Sequence, residues 1–127
     1  MNTSSFKQYK SFAIIFSSAP YENNIGYEGL NIALVLASLE KKISLFFLED
    51  GIFQILNHQN PNYINCHNSS LSFKIFKMYK LINFYISIES LQKRGLFSNN
   101  DFIVPVNIFN ISKISEKIKK CNFILKF

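Results

Sequence analysis

Tyr27 to Gly51 has the sequence YEGLNIALVLASLEKKISLFFLEDG, and this stretch predicts the fold class. Residues 27–40 predict a helix that is apolar over most of its circumference. Ile43–Leu48 is apolar except for Ser44, which is typical of a buried strand, and Glu49-Asp50-Gly51 ends it. A helix followed at once by such a strand indicates the second half of a strand-helix-strand unit in a parallel sheet.

The predicted helix has more apolar surface than one sheet would cover. One apolar stripe and a second apolar sector run along it, formed by Leu30, Ala33, Leu34 and Ala37 and by Ile32, Val35, Leu36 and Leu39. In a small domain the sheet covers one of these sides, so the other needs a further layer or another subunit. This surplus indicates oligomerisation.

Strands and helices continue to alternate along the rest of the chain. Further strands are predicted at Phe12–Phe16, Leu81–Ile88, Phe102–Val106 and Phe123–Phe127, and further helical segments at Ile52–Leu56, Leu71–Tyr79, 89–94 and Ile111–Cys121, with a polar loop over 57–68. This alternation predicts a single three-layer α/β/α domain over residues 11–127, with a five-stranded, mainly parallel sheet of the flavodoxin-like kind. Residues 1–10 are predicted to be a loose lead-in.

Composition excludes several classes of protein. The chain has 127 residues, a net charge of +6 and 48% hydrophobic residues, which is too apolar for a disordered protein. No apolar run approaches the roughly 18 residues of a membrane span, and the first run is too short for a signal peptide, so we expect a cytoplasmic protein. Arg94 is the only arginine, which disfavours direct binding of nucleic acid.

Cysteine and histidine content indicates neither a disulfide scaffold nor a metal site. The two cysteines, Cys66 and Cys121, do not form a zinc-ligand spacing with His58 and His67. Cys121 falls on the apolar stripe of the last helix and is interpreted as a small core side chain. Cys66 lies beside His67 in a polar loop, where a reactive thiolate is the alternative to an ordinary exposed cysteine.

Polar residues at the carboxyl ends of the predicted strands are the best-placed candidates for a site. They are Ser17, Asp50, Ser87 and Glu89. Turn and cap chemistry is the favoured interpretation of Ser17 and Asp50. Gly26-Tyr27-Glu28-Gly29 is not a phosphate-binding fingerprint, so no nucleotide, flavin or other cofactor is expected. Lys74, Lys77 and Lys80 are interpreted as a solvated helix face, with contact to an acidic partner or to an RNA backbone as the alternative.

Four motifs, in order along the chain, carry a resemblance to a known family. They are Phe16-Ser17-Ser18-Ala19-Pro20 with Gly26-x-Glu28-Gly29-Leu30, the segment Phe46–Leu56, Ser90-Leu91-Gln92-Lys93-Arg94-Gly95-Leu96, and Asn122–Phe127. With these motifs the sequence resembles the TusC/DsrF family over about residues 11–127. The resemblance implies a DsrE-like fold without a cofactor.

The resemblance also implies a role in a sulfur relay. Members of this family join TusB-like and TusD-like subunits in a heterohexamer with two copies of each chain. That complex passes persulfide sulfur, through a TusE-like acceptor, toward 2-thiolation of the tRNA wobble uridine. The sister subunit's persulfide cysteine corresponds to about Ser87 in this sequence. A serine cannot form a persulfide, so the resemblance implies a structural, non-catalytic subunit. The alternatives are a persulfide carrier through Cys66 and a standalone flavodoxin-like ligand-binding domain.

Overall fold

A parallel five-stranded sheet forms the centre of the structure, a computed structural model that describes residues 10–19, 25–39, 41–56, 82–97 and 102–127. The strands are β1 (Ser11–Phe16), β2 (Lys42–Phe47), β3 (Ile82–Ser87), β4 (Asn107–Phe109) and β5 (Phe123–Lys126). Their order, which periodicity leaves open, is β4-β3-β2-β1-β5, and every neighbouring pair is parallel. The prediction of an α/β fold with a five-stranded parallel sheet is confirmed.

Helical segments in the described ranges lie on both faces of the sheet. They are α1 (Ile25–Ser38), a 3-10 helix (Glu49–Gln54), α2 (Ile88–Lys93) and α3 (Ile111–Lys119). Leu30 and Ala33 of α1 pack in the larger core cluster with Ile14 and Phe16. On the other face, Ile114 of α3 packs against Ala13 and Phe46 in a smaller cluster. Side chains of successive strand residues point to opposite faces, so β1 and β2 contribute apolar side chains to both clusters.

Stacked aromatic rings cross the strands on each face. Phe16 and Phe47 have centroids 5.1 Å apart on the α1 face, and Phe46 and Tyr85 have centroids 5.0 Å apart on the α3 face. Such pairs add roughly 0.5–1.5 kcal/mol each to the free energy gained by burial alone. The phenylalanine-rich run in β2 therefore stabilises two layers at once.

The fourth predicted strand, Phe102–Val106, is wrong. The strand lies at Asn107–Phe109, and Phe102 forms only an isolated antiparallel bridge with Leu56. Ile103 and Val104 of the predicted run are buried in the larger core cluster instead. Pro105 has no N–H to donate to a ladder, so the apolar run fills the core and pairing begins after it.

Most other predicted boundaries move by one or two residues, as at the ends of α1 and β3, but the helical turn predicted at Ile52–Leu56 begins three residues earlier, as the 3-10 helix Glu49–Gln54. The exposed side chains Ile32, Val35 and Leu39 leave part of the second apolar sector of α1 uncovered. The predicted loop 57–68, the helix Leu71–Tyr79 and nearly all of the lead-in 1–10 lie outside the described residues. That the chain forms one domain over 11–127 stays a prediction.

Candidate functional site

A cleft of about 360 Å³ opens at the carboxyl ends of the strands, beside β1. The chain builds the sheet outward from β1 to β4 and then returns to the other side of β1 as β5. Such a reversal of strand order is where open parallel sheets usually bind ligands. The cleft is lined by Ile15, Ser17, Leu48, Glu49, Ser87, Glu89, Ser90, Lys93, Ile111 and Lys126.

Two buried serines, Ser87 and Ser90, are among the residues that line this cleft. Ser87 ends β3 and is only 1% exposed, and its Oγ accepts a hydrogen bond from the Ser90 N–H at 3.0 Å. This contact caps the first turn of α2. The two hydroxyl oxygens lie 2.8 Å apart, and Ser90 Oγ also accepts from the Glu49 N–H at 2.9 Å. The serine pair therefore ties the end of β2 to the end of β3.

Ser87 has no activating base among its contacts in the described ranges. Its partners are the Ser90 hydroxyl and the Ser90 N–H, and neither can accept the Ser87 proton as a general base would. A serine nucleophile needs a base within hydrogen-bond reach. The geometry fits a helix cap rather than a nucleophile.

An ion-pair cluster lies next to the serine pair. Arg94 is 17% exposed, and its Nε and Nη2 each lie 2.8 Å from Asp50 Oδ1, while Nη2 lies 3.4 Å from Glu49 Oε2. Arg94 Nη1 also donates to the Ser90 carbonyl at 3.1 Å. Glu49 has a φ of 52°, a left-handed backbone conformation that is uncommon for a residue other than glycine. The carboxylates of the 3-10 helix thus hold α2 in place through Arg94.

Gly51 lies against the end of β1 at a distance that excludes any side chain. A Cβ at this position would lie 1.8 Å from the Phe16 carbonyl oxygen. That carbonyl accepts from the Leu48 N–H at 2.9 Å, so it is fixed in place. The turn after β2 therefore requires glycine for a close backbone approach, which explains Glu49-Asp50-Gly51 as a unit.

Asp50 and Ser17 make long-range contacts rather than the local caps predicted for them. Asp50 pairs with Arg94, and the 3-10 helix has no side-chain cap at its N-terminus. Ser17 Oγ donates to the Phe127 carbonyl at 3.2 Å, and the Ser17 N–H donates to the same oxygen at 2.9 Å. Ser17 thus holds the chain just after β5 beside the end of β1, which a sequence-local interpretation cannot predict.

Glu89, the fourth candidate, stabilises α3. Its Oε1 accepts from the Ile111 N–H at 3.0 Å, and Asn110 Oδ1 accepts from the Lys113 N–H at 2.9 Å. Both contacts satisfy N–H groups in the first turn of a helix, which has no intrahelical acceptor for them. Glu89 therefore joins α2 to α3 across the mouth of the cleft.

Gln54 is a buried polar residue that the sequence analysis missed. It is 1% exposed, and its Nε2 donates to the Ser18 carbonyl at 3.1 Å, whereas its Oε1 has no hydrogen-bond partner. Gln54 belongs to the quoted segment Phe46–Leu56, but an isolated glutamine in a short helical turn carries no signal of burial. Its contact joins the 3-10 helix to the loop after β1.

Cys121 lies at the opposite end of the sheet from Ser87. It precedes β5 and is half-buried, with its Sγ 3.6 Å from the Lys117 carbonyl oxygen. Burial raises the pKa of the thiol, and the Ser11 side chain and the charge of Lys42 act in the opposite direction. Since parallel strands separate their two ends, Cys121 and Ser87 do not meet in one site. The predicted core position on the last helix holds only in part, since Cys121 packs at the edge of the smaller cluster but lies beyond the end of α3.

Several of the predicted features lie outside the described residues. They are Cys66, His58, His67 and the stripe Lys74, Lys77 and Lys80. Within the described ranges, no three His, Cys, Asp or Glu side chains come together as a metal site would require. Among the described helices, none has the length and apolar content needed to cross a membrane.

The chain matches one family model and a group of curated proteins along nearly all of its length. The model is that of the DsrE/DsrF-like family, matched by residues 10–127. Protein TusC of Buchnera aphidicola subsp. Schizaphis graminum is 42% identical over 118 residues, which cover 93% of this chain and 99% of that protein. Protein TusC of Buchnera aphidicola subsp. Baizongia pistaciae is 40% identical, and that of Escherichia coli O127:H6 is 30% identical, with the same coverage.

A solved structure shares the fold. The crystal structure of the ychN protein from E. coli superposes with a TM-score of 0.80 at 20% identity, covering 93% of this chain and 99% of that one. At this identity the likeness concerns the fold alone.

Proposed function

The chain belongs to the DsrE/DsrF-like family, with curated TusC proteins among its relatives, and we propose that it is a structural, non-catalytic subunit of a sulfur-relay complex. The complex is of the TusBCD type, with two copies each of this chain, a TusB-like chain and a TusD-like chain. It passes persulfide sulfur to a TusE-like acceptor, toward 2-thiolation of the tRNA wobble uridine in the cytoplasm. This chain contributes surface and shape, and a sister subunit supplies the reactive thiol.

The state of Ser87 carries this proposal. Ser87 stands about where the resemblance puts the sister subunit's persulfide cysteine, and it has a hydroxyl in place of a thiol. The side chain is buried, and its contacts cap α2. Sulfur transfer needs an accessible sulfur atom that ionises readily, and a capped, buried hydroxyl has neither property. Cys121 lies at the far end of the sheet, and its pKa is raised by burial.

Uncovered apolar side chains on α1 support the role of a subunit. Val35 and Leu39 are each 59% exposed, and Ile32 lies on the same helix and is exposed too. Monomeric proteins rarely leave a contiguous apolar patch in water, because burying it on a partner removes apolar area from solvent. Part of the apolar surface of α1 is therefore not covered by the sheet, and this surface favours assembly with another chain.

Native mass spectrometry tests the proposed assembly. The chain is expressed alone and together with its TusB-like and TusD-like partners. The expected species contains two copies of each of the three chains. A monomer that binds neither partner would overturn the proposal and favour a standalone ligand-binding domain. Such a domain is also expected to retain a nucleotide or flavin through purification.

A double variant tests the non-catalytic role separately. Cys66→Ser with Cys121→Ser removes both thiols, and a complex assembled with it is expected to thiolate tRNA at the wild-type rate. A TusD-like subunit without its own cysteine is the positive control for loss of activity. If thiolation is lost although the complex has assembled, a cysteine of this chain carries sulfur, and Cys66→Ser alone decides whether it is Cys66.

A further inference from the structure

β5 forms an edge of the sheet and has one side free. Phe127, just beyond it, bonds to β1 through both backbone groups: its N–H donates to the Ile15 carbonyl at 2.8 Å, and its C=O accepts from the Ser17 N–H at 2.9 Å. Backbone groups of successive strand residues point to alternate sides, so those of Ile124 and Lys126 point away from β1. In the described part of the chain, no strand pairs with this outer side.

The side chains of β5 are unusually apolar for an edge strand. Phe123 is 45% exposed and Ile124 is 52% exposed, and they point to opposite faces because they are adjacent. Phe123 is supported from one side only, by the ring of Phe12 at 5.0 Å. Edge strands with exposed apolar side chains are templates for pairing with another chain. Strand addition would cover both side chains and satisfy the free backbone groups.

Lysines surround this edge. Lys126 lies on β5, Lys10 Nζ lies 5.7 Å from the Phe123 ring centroid, and Lys119 and Lys120 end the helix that leads into β5. Of the five lysines between residues 111 and 126, Lys113 and Lys117 lie over Phe109 at the other edge of the sheet, which leaves Lys119, Lys120 and Lys126 with Lys10 toward β5. Within the described part of the chain, Lys10, Lys119, Lys120 and Lys126 form no ion pair. The edge is therefore positively charged and uncompensated.

We propose that the outer edge of β5 receives an extended segment of an acidic partner chain as an added parallel or antiparallel strand. The inference rests on the proposed role as a subunit and names the surface that this role would use. A second copy of this chain would bring the same lysines face to face, and like charges across a strand pair are destabilising. Phosphate oxygens only accept hydrogen bonds, and an RNA backbone lacks the regularly alternating N–H and C=O groups with which a strand edge pairs.

Hydrogen exchange in the assembled complex tests the surface directly. In the free chain, the amides of Ile124 and Lys126 are expected to exchange fast, while that of Phe127 is protected by Ile15. In the complex, the amides of Ile124 and Lys126 are expected to slow by at least about tenfold, since strand addition engages them. A complex that forms with both amides still fast would overturn this inference and leave the proposed function intact.

Two matched pairs of variants test backbone pairing and charge attraction separately. Ile124→Pro removes only an outward N–H, which an edge strand tolerates, and is expected to weaken partner binding by about tenfold or more relative to Ile124→Ala. Lys126→Glu is expected to weaken binding about tenfold and to make the affinity less dependent on salt, since Lys10, Lys119 and Lys120 remain. Lys113→Glu, an exposed lysine on α3 beside Phe109 at the opposite edge, is its control and should change the affinity less than about twofold.

Three outcomes overturn the inference. One is a homodimer of the chain that protects the β5 edge. Another is tRNA that protects it in the absence of protein partners. The third is a partner affinity that Ile124→Pro and Lys126→Glu both leave unchanged. If no partner binds at all, both the inference and the proposed function fail, and native mass spectrometry of the wild-type chain distinguishes this case from the others.

Discussion

Arg94 and Asp50, which are 44 residues apart in the sequence, join two motifs, because the Arg94 Nε donates a hydrogen bond to Asp50 Oδ1 at 2.8 Å. Asp50 belongs to the turn after β2, and Arg94 ends α2. The same guanidinium also donates to the Ser90 carbonyl, and Ser90 accepts from the Glu49 N–H. Two of the four motifs that carry the family resemblance are therefore parts of one hydrogen-bonded structure at the carboxyl edge of the sheet.

Removing Arg94 is expected to loosen this edge. Arg94→Ala should lower the free energy of unfolding by about 1 kcal/mol, because it breaks a charge-assisted contact to Asp50, which is 43% exposed, and the contact to the Ser90 carbonyl. Urea denaturation measures the change, with Lys93→Ala as a control, since Lys93 is exposed on the same helix and should cost less than about 0.5 kcal/mol. In a double-mutant cycle with Asp50→Ala, a coupling energy near zero would contradict the assigned pairing, for which about 0.5–1 kcal/mol is expected.

Gly51 is expected to be far less tolerant of substitution than Gly95. Gly51→Ala places a methyl group 1.8 Å from the Phe16 carbonyl oxygen, a backbone atom that cannot move aside. The expected loss exceeds about 3 kcal/mol, or the chain fails to fold. Gly95→Ala meets open space and pays only for its φ of 67°, about 1 kcal/mol. Thermal and urea unfolding of the two variants should differ accordingly, and equal stability would refute the close approach.

Ser87 is expected to affect stability and not sulfur transfer. Ser87→Ala removes the cap of α2 and leaves the Ser90 N–H without its acceptor, at a cost of about 1–2 kcal/mol. Ser112→Ala, at an exposed position on α3, is the control and should change stability by less than about 0.5 kcal/mol. A complex carrying Ser87→Ala should thiolate tRNA normally at a temperature where it is folded. Loss of thiolation there would assign Ser87 a chemical role.

Cys121 is expected to react slowly with alkylating reagents near neutral pH. Its thiol has a raised pKa, mainly because of burial, so a smaller fraction is thiolate at a given pH. In a Cys66→Ser background, the rate of alkylation by iodoacetamide should reach half its maximum above the pH found for a free cysteine. Lys42→Gln should move that midpoint further up, because the positive charge of Lys42 favours the thiolate. A midpoint below that of free cysteine would contradict the assignment.

Strong local patterns predicted most of the fold. The apolar runs of β1, β2 and β3 and the amphipathic period of α3 are properties of neighbouring residues, so they are visible without a structure. The strand over Phe102–Val106 was wrong because an apolar run indicates burial, and burial does not require a ladder. Strand order was open because each strand is apolar on both faces and could pair with any other.

The sequence predicted where the candidate site lies, but it did not predict which residues its side chains contact. Ser87, Glu89, Asp50 and Ser17 all lie at the carboxyl edge, as parallel strands require. Their partners are distant in sequence: Arg94 for Asp50, Phe127 for Ser17 and Ile111 for Glu89. Gln54 was missed because nothing in its neighbours distinguishes a buried glutamine from an exposed one.

The sequence by itself determined the class of fold, the family resemblance and the presence of a serine rather than a cysteine at position 87. These depend on residue identity and on short-range order along the chain, which a sequence states completely. Only the tertiary structure decided that Ser87 is a buried cap, that Cys121 lies at the other end of the sheet, and that β5 presents a free, lysine-rich edge. Those facts depend on which distant segments pack together, and the free energy that selects one packing is summed over the whole chain rather than over any one motif.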